Sequence, residues 1–232
     1  MRILSLDTTA TVCTAAISDD TKLIAETTVN TGNTHSEMLL PVIENLLKIT
    51  ETNINEIDLF ACSTGPGSFT GVRIGVATVK GLAYGKNKPC VSVSTLDALA
   101  YNLIGFDGIL CPVMNARRNQ VYNALFKCES GVITRLCPDR AISIAELDEE
   151  LADESLPIYL SGDGYDITAN GFKKTKVAYV PPKCRDQSAY SVAVCALQKF
   201  ENGESMTDAE IAPIYLRPSQ AERERNERLG LT

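Results

Sequence analysis

Asp7-Thr8-Thr9 places a carboxylate and two hydroxyls at the end of the apolar run Arg2–Asp7. A carboxylate there, followed by hydroxyls and free amides in a turn, suits a hydrated metal and a phosphate. A plain polar strand end has the same composition. The segment GPGSFTGVRIG, Gly65 to Gly75, is glycine-rich and opens a helix, and helix starts favour anions. It is not a P-loop, because the Lys-Ser/Thr pair that ends that motif is missing. On the helix, Gly71 and Gly75 stand four apart and form a flat strip beside Val72, Val76 and Val79. That strip fits close packing within the chain or against another chain. In the second half, Asn115 to Tyr122 (NARRNQVY) sets two arginines side by side, suited to phosphate or to a partner's carboxylates. Ser161-Gly162-Asp163-Gly164 is a short glycine pair at a strand end that could receive an adenosine.

The ionisable residues narrow these readings. There is one histidine, His35, so a histidine-based triad or a catalytic zinc site with three protein ligands is a poor fit. The eight cysteines include no CxxC pair and sit mostly in apolar runs, which reads as buried, reduced thiols of a cytoplasmic protein. Lys+Arg 22 against Asp+Glu 29 gives a net charge of −7, which argues against holding nucleic acid by the chain's own charge. No apolar run approaches the roughly 20 residues of a membrane helix. The opening run is cut by Asp7 and is not expected to be a signal peptide.

Alternating and continuous apolar runs predict strands at Arg2–Asp7, Val12–Ser18 and Leu23–Thr28. Thr34 followed by Glu37 predicts a capping box, opening a helix whose apolar face carries Met38, Leu39, Val42, Ile43, Leu46 and Leu47, with a kink at Pro41. A strand at Leu59–Thr64, the Gly-Pro-Gly helix, a strand at Pro89–Ser94 and a helix from Ser94 follow. The pattern then restarts with strands at Ile109–Met114, Val121–Lys127 and Val132–Leu136. Asp7 aligns with Asn115, Ile17 with Phe126 and Leu23 with Val132, an internal repeat of strand, turn, strand, turn, strand. A helix at Ser143–Ala152, strands at Ile158–Ser161 and Val177–Val180, a helix at Gln187–Phe200 and a solvated charged helix near Glu222–Arg228 complete the prediction. The fold class expected is α/β, with two related lobes, residues 1–103 and 104–232, flanking a cleft.

The LSLDTT opening, HSEMLLP, GPGSFTGVRIG, NARRNQVY and the closing PIYLRPS together resemble the TsaB (YeaZ) family of the actin-like (ribonuclease H-like) superfamily, over essentially the whole chain. The resemblance implies a non-catalytic, cytoplasmic partner of a paralogue, TsaD. With TsaE, the pair would install threonylcarbamoyl on N6 of the adenosine 3′ of the anticodon, in tRNAs that read codons beginning with A. It implies an interface built from His35, Met38, Leu39, Val42 and Leu46 on one helix and Gly71, Val72, Gly75, Val76 and Val79 on the other. Val76→Asp is then expected to weaken the complex without unfolding the chain. Asp7, Thr8, Thr9, Asn115 and Gly162 would be degenerate phosphate loops. No metal and no cofactor of its own is expected, with ATP or ADP at the partner interface, a homodimer when alone, and tRNA contact only through the complex. The catalytic paralogue holds its metal with two histidines four apart; Thr95 and Leu99 stand in those places here. An ATP-dependent phosphotransferase is the alternative reading, and a metallo-glycopeptidase a more distant one.

Overall fold

A computed structural model describes residues 1–218 together with Arg225 and Arg228. The expected charged helix near residues 222–228 otherwise lies outside the described residues.

The first sheet has the order β3-β2-β1-β4-β5, from β1 (Arg2–Asp7), β2 (Cys13–Asp19), β3 (Lys22–Val29), β4 (Leu59–Ser63) and β5 (Cys90–Val93). β1–β3 form an antiparallel meander, while β4 and β5 add in parallel to β1. One face carries Leu4, Leu6, Phe60 and Cys62. Against it pack α1 (His35–Ile49) and α2 (Phe69–Ala83), through Leu39, Val42, Leu46, Val72, Val76 and Val79. Their i, i+3, i+4, i+7 spacing makes one stripe per helix, and the sheet covers both stripes. α1 runs unbroken through Pro41. Its expected capping box does not form: the Thr34 hydroxyl donates to the Glu37 carboxylate and caps no backbone amide.

The second sheet is built on β6 (Gly108–Asn115). β7 (Gln120–Asn123) and β8 (Phe126–Glu129) both pair antiparallel with β6 in one shared register, Asn115 opposite Val121 and Gly108 opposite Cys128. They act as a single strand interrupted beside Pro112, which has no N–H to give a ladder. β9 (Val132–Arg135) pairs with β8, and β10 (Arg140–Ser143) pairs with β7. This reproduces the meander of the first lobe. α4 (Ile144–Glu150) starts in a complete Ser143–Glu146 capping box, and β11 (Ile158–Ser161) pairs parallel with β6. β10 and α5 (Tyr165–Gly171) were not expected from the sequence, and of the strand expected at Val177–Val180 only Val177 pairs, with Ile158.

Two helices pack across the expected division at 103/104. α3 (Thr95–Tyr101) leaves the first sheet and buries Leu96, Leu99 and Ala100 against Leu110, Met114 and Phe126 of the second lobe. α6 (Ala189–Glu201) returns and packs Val192, Ala193 and Ala196 on Ile3, Leu59 and Val91. The chain then stays on the first lobe, where Met206 and Cys90 exchange backbone hydrogen bonds and Ile211 is fully buried. The lobes have therefore exchanged one helix each, because each helix finds its apolar partner on the sheet across the cleft. Among the described residues no helix is long and apolar enough to cross a membrane.

Candidate functional site

Both strand-end turns lie beside a cleft between the lobes. At the end of β1, Asp7 Oδ1 accepts the Thr9 amide at 2.8 Å and the Thr9 hydroxyl at 2.7 Å. At the end of β6, Asn115 Oδ1 accepts the Arg117 amide, also at 2.8 Å. Each is a side chain bonding the backbone two residues on, the turn that Asx residues form. The aligned positions Asp7 and Asn115 thus perform the same local task.

The first turn is sealed. Asp7 through Ala10 are all buried. A Cβ at Gly67 would collide with the Thr9 carbonyl, and one at Gly71 with the Thr8 carbonyl; one at Gly75 would lie 2.7 Å from the Thr8 hydroxyl. These glycines of the GPGSFTGVRIG segment let α2 and its loop press onto the turn, where the Thr8 hydroxyl donates to the Gly71 carbonyl at 2.7 Å. The strip expected to meet another chain is spent inside this one. His35 Nε2 faces the Ala10 carbonyl at 2.7 Å, so Nε2 carries the proton, and Nδ1 is buried without a partner among the described residues. Burial pushes the Asp7 carboxyl above the usual range, while the nearby Ser63 and Thr9 hydroxyls and the Thr9 amide pull the other way. Asp7 Oδ2 and Ser63 Oγ, at neighbouring strand ends, are buried with no partner at full hydrogen-bond geometry among the described residues. A buried carboxylate with one free oxygen fits a cation's donor set chemically. Yet no group of three or more His, Cys, Asp or Glu that could hold a metal ion occurs among the described residues.

The second turn is open. Arg117, Arg118 and Asn119 are exposed and have φ of 62°, 54° and 56°. A cleft of about 470 Å³ lies between Thr11, Ser68 and Thr70 on one wall and Asn115, Arg117 and Asp163 on the other. Its donors are largely used within the chain. The Asn115 amide donates to Asp163 Oδ1 at 2.9 Å, the Gly164 amide to the Val113 carbonyl and the Gly162 amide to the Arg185 carbonyl. A second hollow of about 320 Å³, lined by Gly162 and three aspartates, holds the Arg185 guanidinium 3.9 Å from the centre of the Tyr165 ring. The chain's own cation–π pair thus forms part of the wall beside Gly162, the position expected to receive an adenosine.

The family model described as "TsaD: tRNA N6-adenosine threonylcarbamoyltransferase" matches residues 24–225. The tRNA threonylcarbamoyladenosine biosynthesis protein TsaB of Bacillus subtilis (strain 168) is 33% identical over 162 residues, 70% of this chain and 71% of that protein. The chain belongs to the TsaB family. The TsaB protein of Escherichia coli (strain K12) is 27% identical over 224 residues, 95% of this chain and 96% of its own length. YeaZ from Pseudomonas aeruginosa superposes with a TM-score of 0.78 at 21% identity, covering 93% of this chain and 99% of that one, and so shares the fold.

Within that family fold, the residues expected at a partner interface divide sharply. Leu39, Val42, Leu46, Gly71, Val72, Gly75, Val76 and Val79 are buried in this chain. They cannot also form a surface, and Val76→Asp would place a charge in the core rather than test docking. His35 and Met38 are half-buried. What stays exposed on α1, on α2 and at the α2 C-cap is different: Leu40, Ile49 and Tyr84 at 56%, 60% and 77% exposure, along with Glu37, Glu44, Arg73 and Ala77. Thr95 and Leu99, expected to stand where the paralogue has its metal-binding histidines, are fully buried, Leu99 in the second core. The eight cysteines are free, six of them buried; burial raises Cys62 and lifts Cys111 to about 12, so neither is a ready thiolate.

Proposed function

We propose that this chain acts in tRNA threonylcarbamoyladenosine biosynthesis as a non-catalytic subunit. It docks a TsaD-like catalytic paralogue on the outer faces of α1 and α2 and, with TsaE, activates it. The observation that carries the reading is the pair of roles on those helices. Their inner stripes are fully used by the first sheet, while Leu40, Ile49 and Tyr84 stay in solvent on the outside. Exposed apolar side chains on adjoining helices suit a protein partner. The same faces serve a homodimer when the chain is alone, so the two assemblies compete. A nucleotide belongs at the interface with the partner, since the chain's own turns spend their amides on Asp7, Asn115 and Asp163. Contact with tRNA comes through the complex, in the cytoplasm.

The test is reconstitution. Purified TsaD, TsaE, ATP, threonylcarbamoyl-adenylate and unmodified tRNA are combined with and without the chain. Product should form only with it, and the chain alone should turn over no ATP. ATP turnover by the chain would instead support a phosphotransferase working in the cleft. Leu40→Asp should leave the melting temperature within a few degrees and weaken TsaD binding roughly tenfold or more, as truncating an interface anchor does. Val76→Asp should instead unfold the chain, a loss of about 3–5 kcal/mol. Wild-type binding by Leu40→Asp would remove the docking assignment.

A further inference from the structure

After α6 the chain runs as an irregular strap, from Met206 to Arg217, along the first lobe and onto the second. Its first part is firmly seated. The Lys80 ammonium donates to the Ala209 carbonyl at 2.7 Å, Ile211 is in the first core, and the Ile214 amide donates to the Thr64 carbonyl at 2.8 Å. Gly65 is required for this seat: it has φ of 120°, and a Cβ there would lie 2.5 Å from the Ile214 carbonyl oxygen. Tyr215 stacks on Phe69 with ring centres 4.6 Å apart and planes 14° from parallel, and the Arg73 side chain donates to its hydroxyl at 2.7 Å. Past Tyr215 the strap changes lobes. Leu216 packs against the second core, and the Arg217 guanidinium donates to the Gln120 side-chain carbonyl, at the foot of the Arg117–Asn119 turn. Gly67 and Phe69 from one lobe and Tyr122 from the other line the crevice beneath it.

We propose that this strap is an interlobe latch: anchored on α2 by Tyr215 and on the second lobe by Leu216 and Arg217, it fixes the opening of the cleft. The lobes are also joined by the chain crossings near residues 102–107 and 181–188, by α3 and α6, and by Ala10 of the first turn, which packs in the second core. The strap adds a tie at the cleft itself, where the first lobe's Ser68–Thr70 faces the second lobe's Arg117. A tie made of one stack, one apolar contact and one charge-assisted hydrogen bond is strong enough to bias the lobes and weak enough to be released without unfolding either.

The test measures the gap directly on the full chain. Spin labels are placed by Thr70→Cys on the first wall and Arg118→Cys on the second, with Cys137→Ser and Cys184→Ser removing the two half-buried native thiols. With the latch intact the distance distribution should be single and narrow. Adding Arg217→Ala should shift it outward by several ångströms and broaden it, while the melting temperature barely moves. Gln120→Ala, approached from the other lobe, should do the same, and the double variant should do no more than either single one. An unchanged distribution in both variants, or additive effects in the double variant, would overturn the latch and leave the strap as a cover for the first core.

Discussion

The two turns that meet at the cleft begin alike and end differently. In each, an Asx side chain at the end of a central strand accepts the amide two residues on, at the same 2.8 Å. Then the first turn is closed over by α2, whose glycines admit it to backbone contact, and by His35 from α1. The second receives no such cover. It projects two arginines and an asparagine in left-handed conformations, held from below by hydrogen bonds between Ala116 and Gln120 and between Ile144 and Asn119. One turn geometry has become a packing element in one lobe and a charged loop in the other. The local hydrogen bond is therefore common property of the repeat, and what lies above it decides the role.

The strongest way to break that contrast is to put a methyl group beside each turn. Gly71→Ala sets a Cβ against the Thr8 carbonyl, backbone against backbone, with no flexible side chain to give way. α2 must lift from β1, and the cost should be about 3–5 kcal/mol, in the range of severe core changes. Gly164→Ala is the counterpart beside the second turn, where the nearest atom is the Val113 carbonyl at 2.9 Å. The neighbours there are backbone too, but the approach is wider than at Gly71, so roughly 1–2 kcal/mol is expected. Urea midpoints for the two variants give the comparison, and equal losses would mean the first turn is no more sealed than the second.

Exchanging the two Asx residues sharpens it further. Burial holds the folded Asp7 carboxyl above its value in the unfolded chain. Its contribution is then complete below the unfolded carboxylate range and is lost as pH rises through the folded value, so at pH 7 the buried carboxylate costs stability. Asp7→Asn keeps an oxygen for the Thr9 amide and offers a donor near the unpaired Ser63 hydroxyl. It should stabilise the chain by about 1–3 kcal/mol at neutral pH. That gain should shrink as pH falls and vanish below about pH 4. Asn115→Asp, at an exposed position, should change stability by about 0.5 kcal/mol or less. A gain from Asp7→Asn that does not vary with pH would show that the folded and unfolded chains hold the Asp7 proton equally, so that burial has not raised its carboxyl.

How far the sequence discloses this molecule follows from the range of each interaction. The meander of β1–β3, its repeat in β6–β9 and the helices on either side are written in local periodicity, and the structure has them. The aligned positions Asp7 and Asn115 also prove to be structural counterparts. The exchange of α3 and α6 is not local: Leu96 and Leu99 read as an apolar face, but nothing along the chain says which sheet they cover. The burial of most of the expected interface residues has a related cause. Leu39, Val42 and Leu46 are spaced as one stripe, and a stripe on a helix beside a sheet is first claimed by that sheet. The outward residues Leu40 and Ile49 lie off the stripe, which was the available signal. The strap was visible only as the motif PIYLRPS, because its stack on Phe69 and its grip on Gln120 span 146 and 97 residues of sequence.

The finest discrimination concerns backbone strain in the open turn. A non-glycine residue in the left-handed region costs roughly 1–2 kcal/mol, less for asparagine. Arg118, at φ of 54°, has no short polar side chain to offset that cost. Arg118→Gly relieves it but frees the unfolded chain, which takes back about 0.5–1 kcal/mol. The net should be a small stabilisation, under about 1 kcal/mol, or roughly 2 °C in melting temperature for a chain of this size. Thr9→Gly in the sealed turn should go the other way, since it removes a buried hydroxyl bonded to Asp7 and leaves a gap beneath Gly67. Opposite signs for the two glycine substitutions would establish that cover, rather than turn geometry, separates the lobes; a loss at Arg118 would instead mean that its side chain is held in place, and that the second turn is less open than its exposure implies.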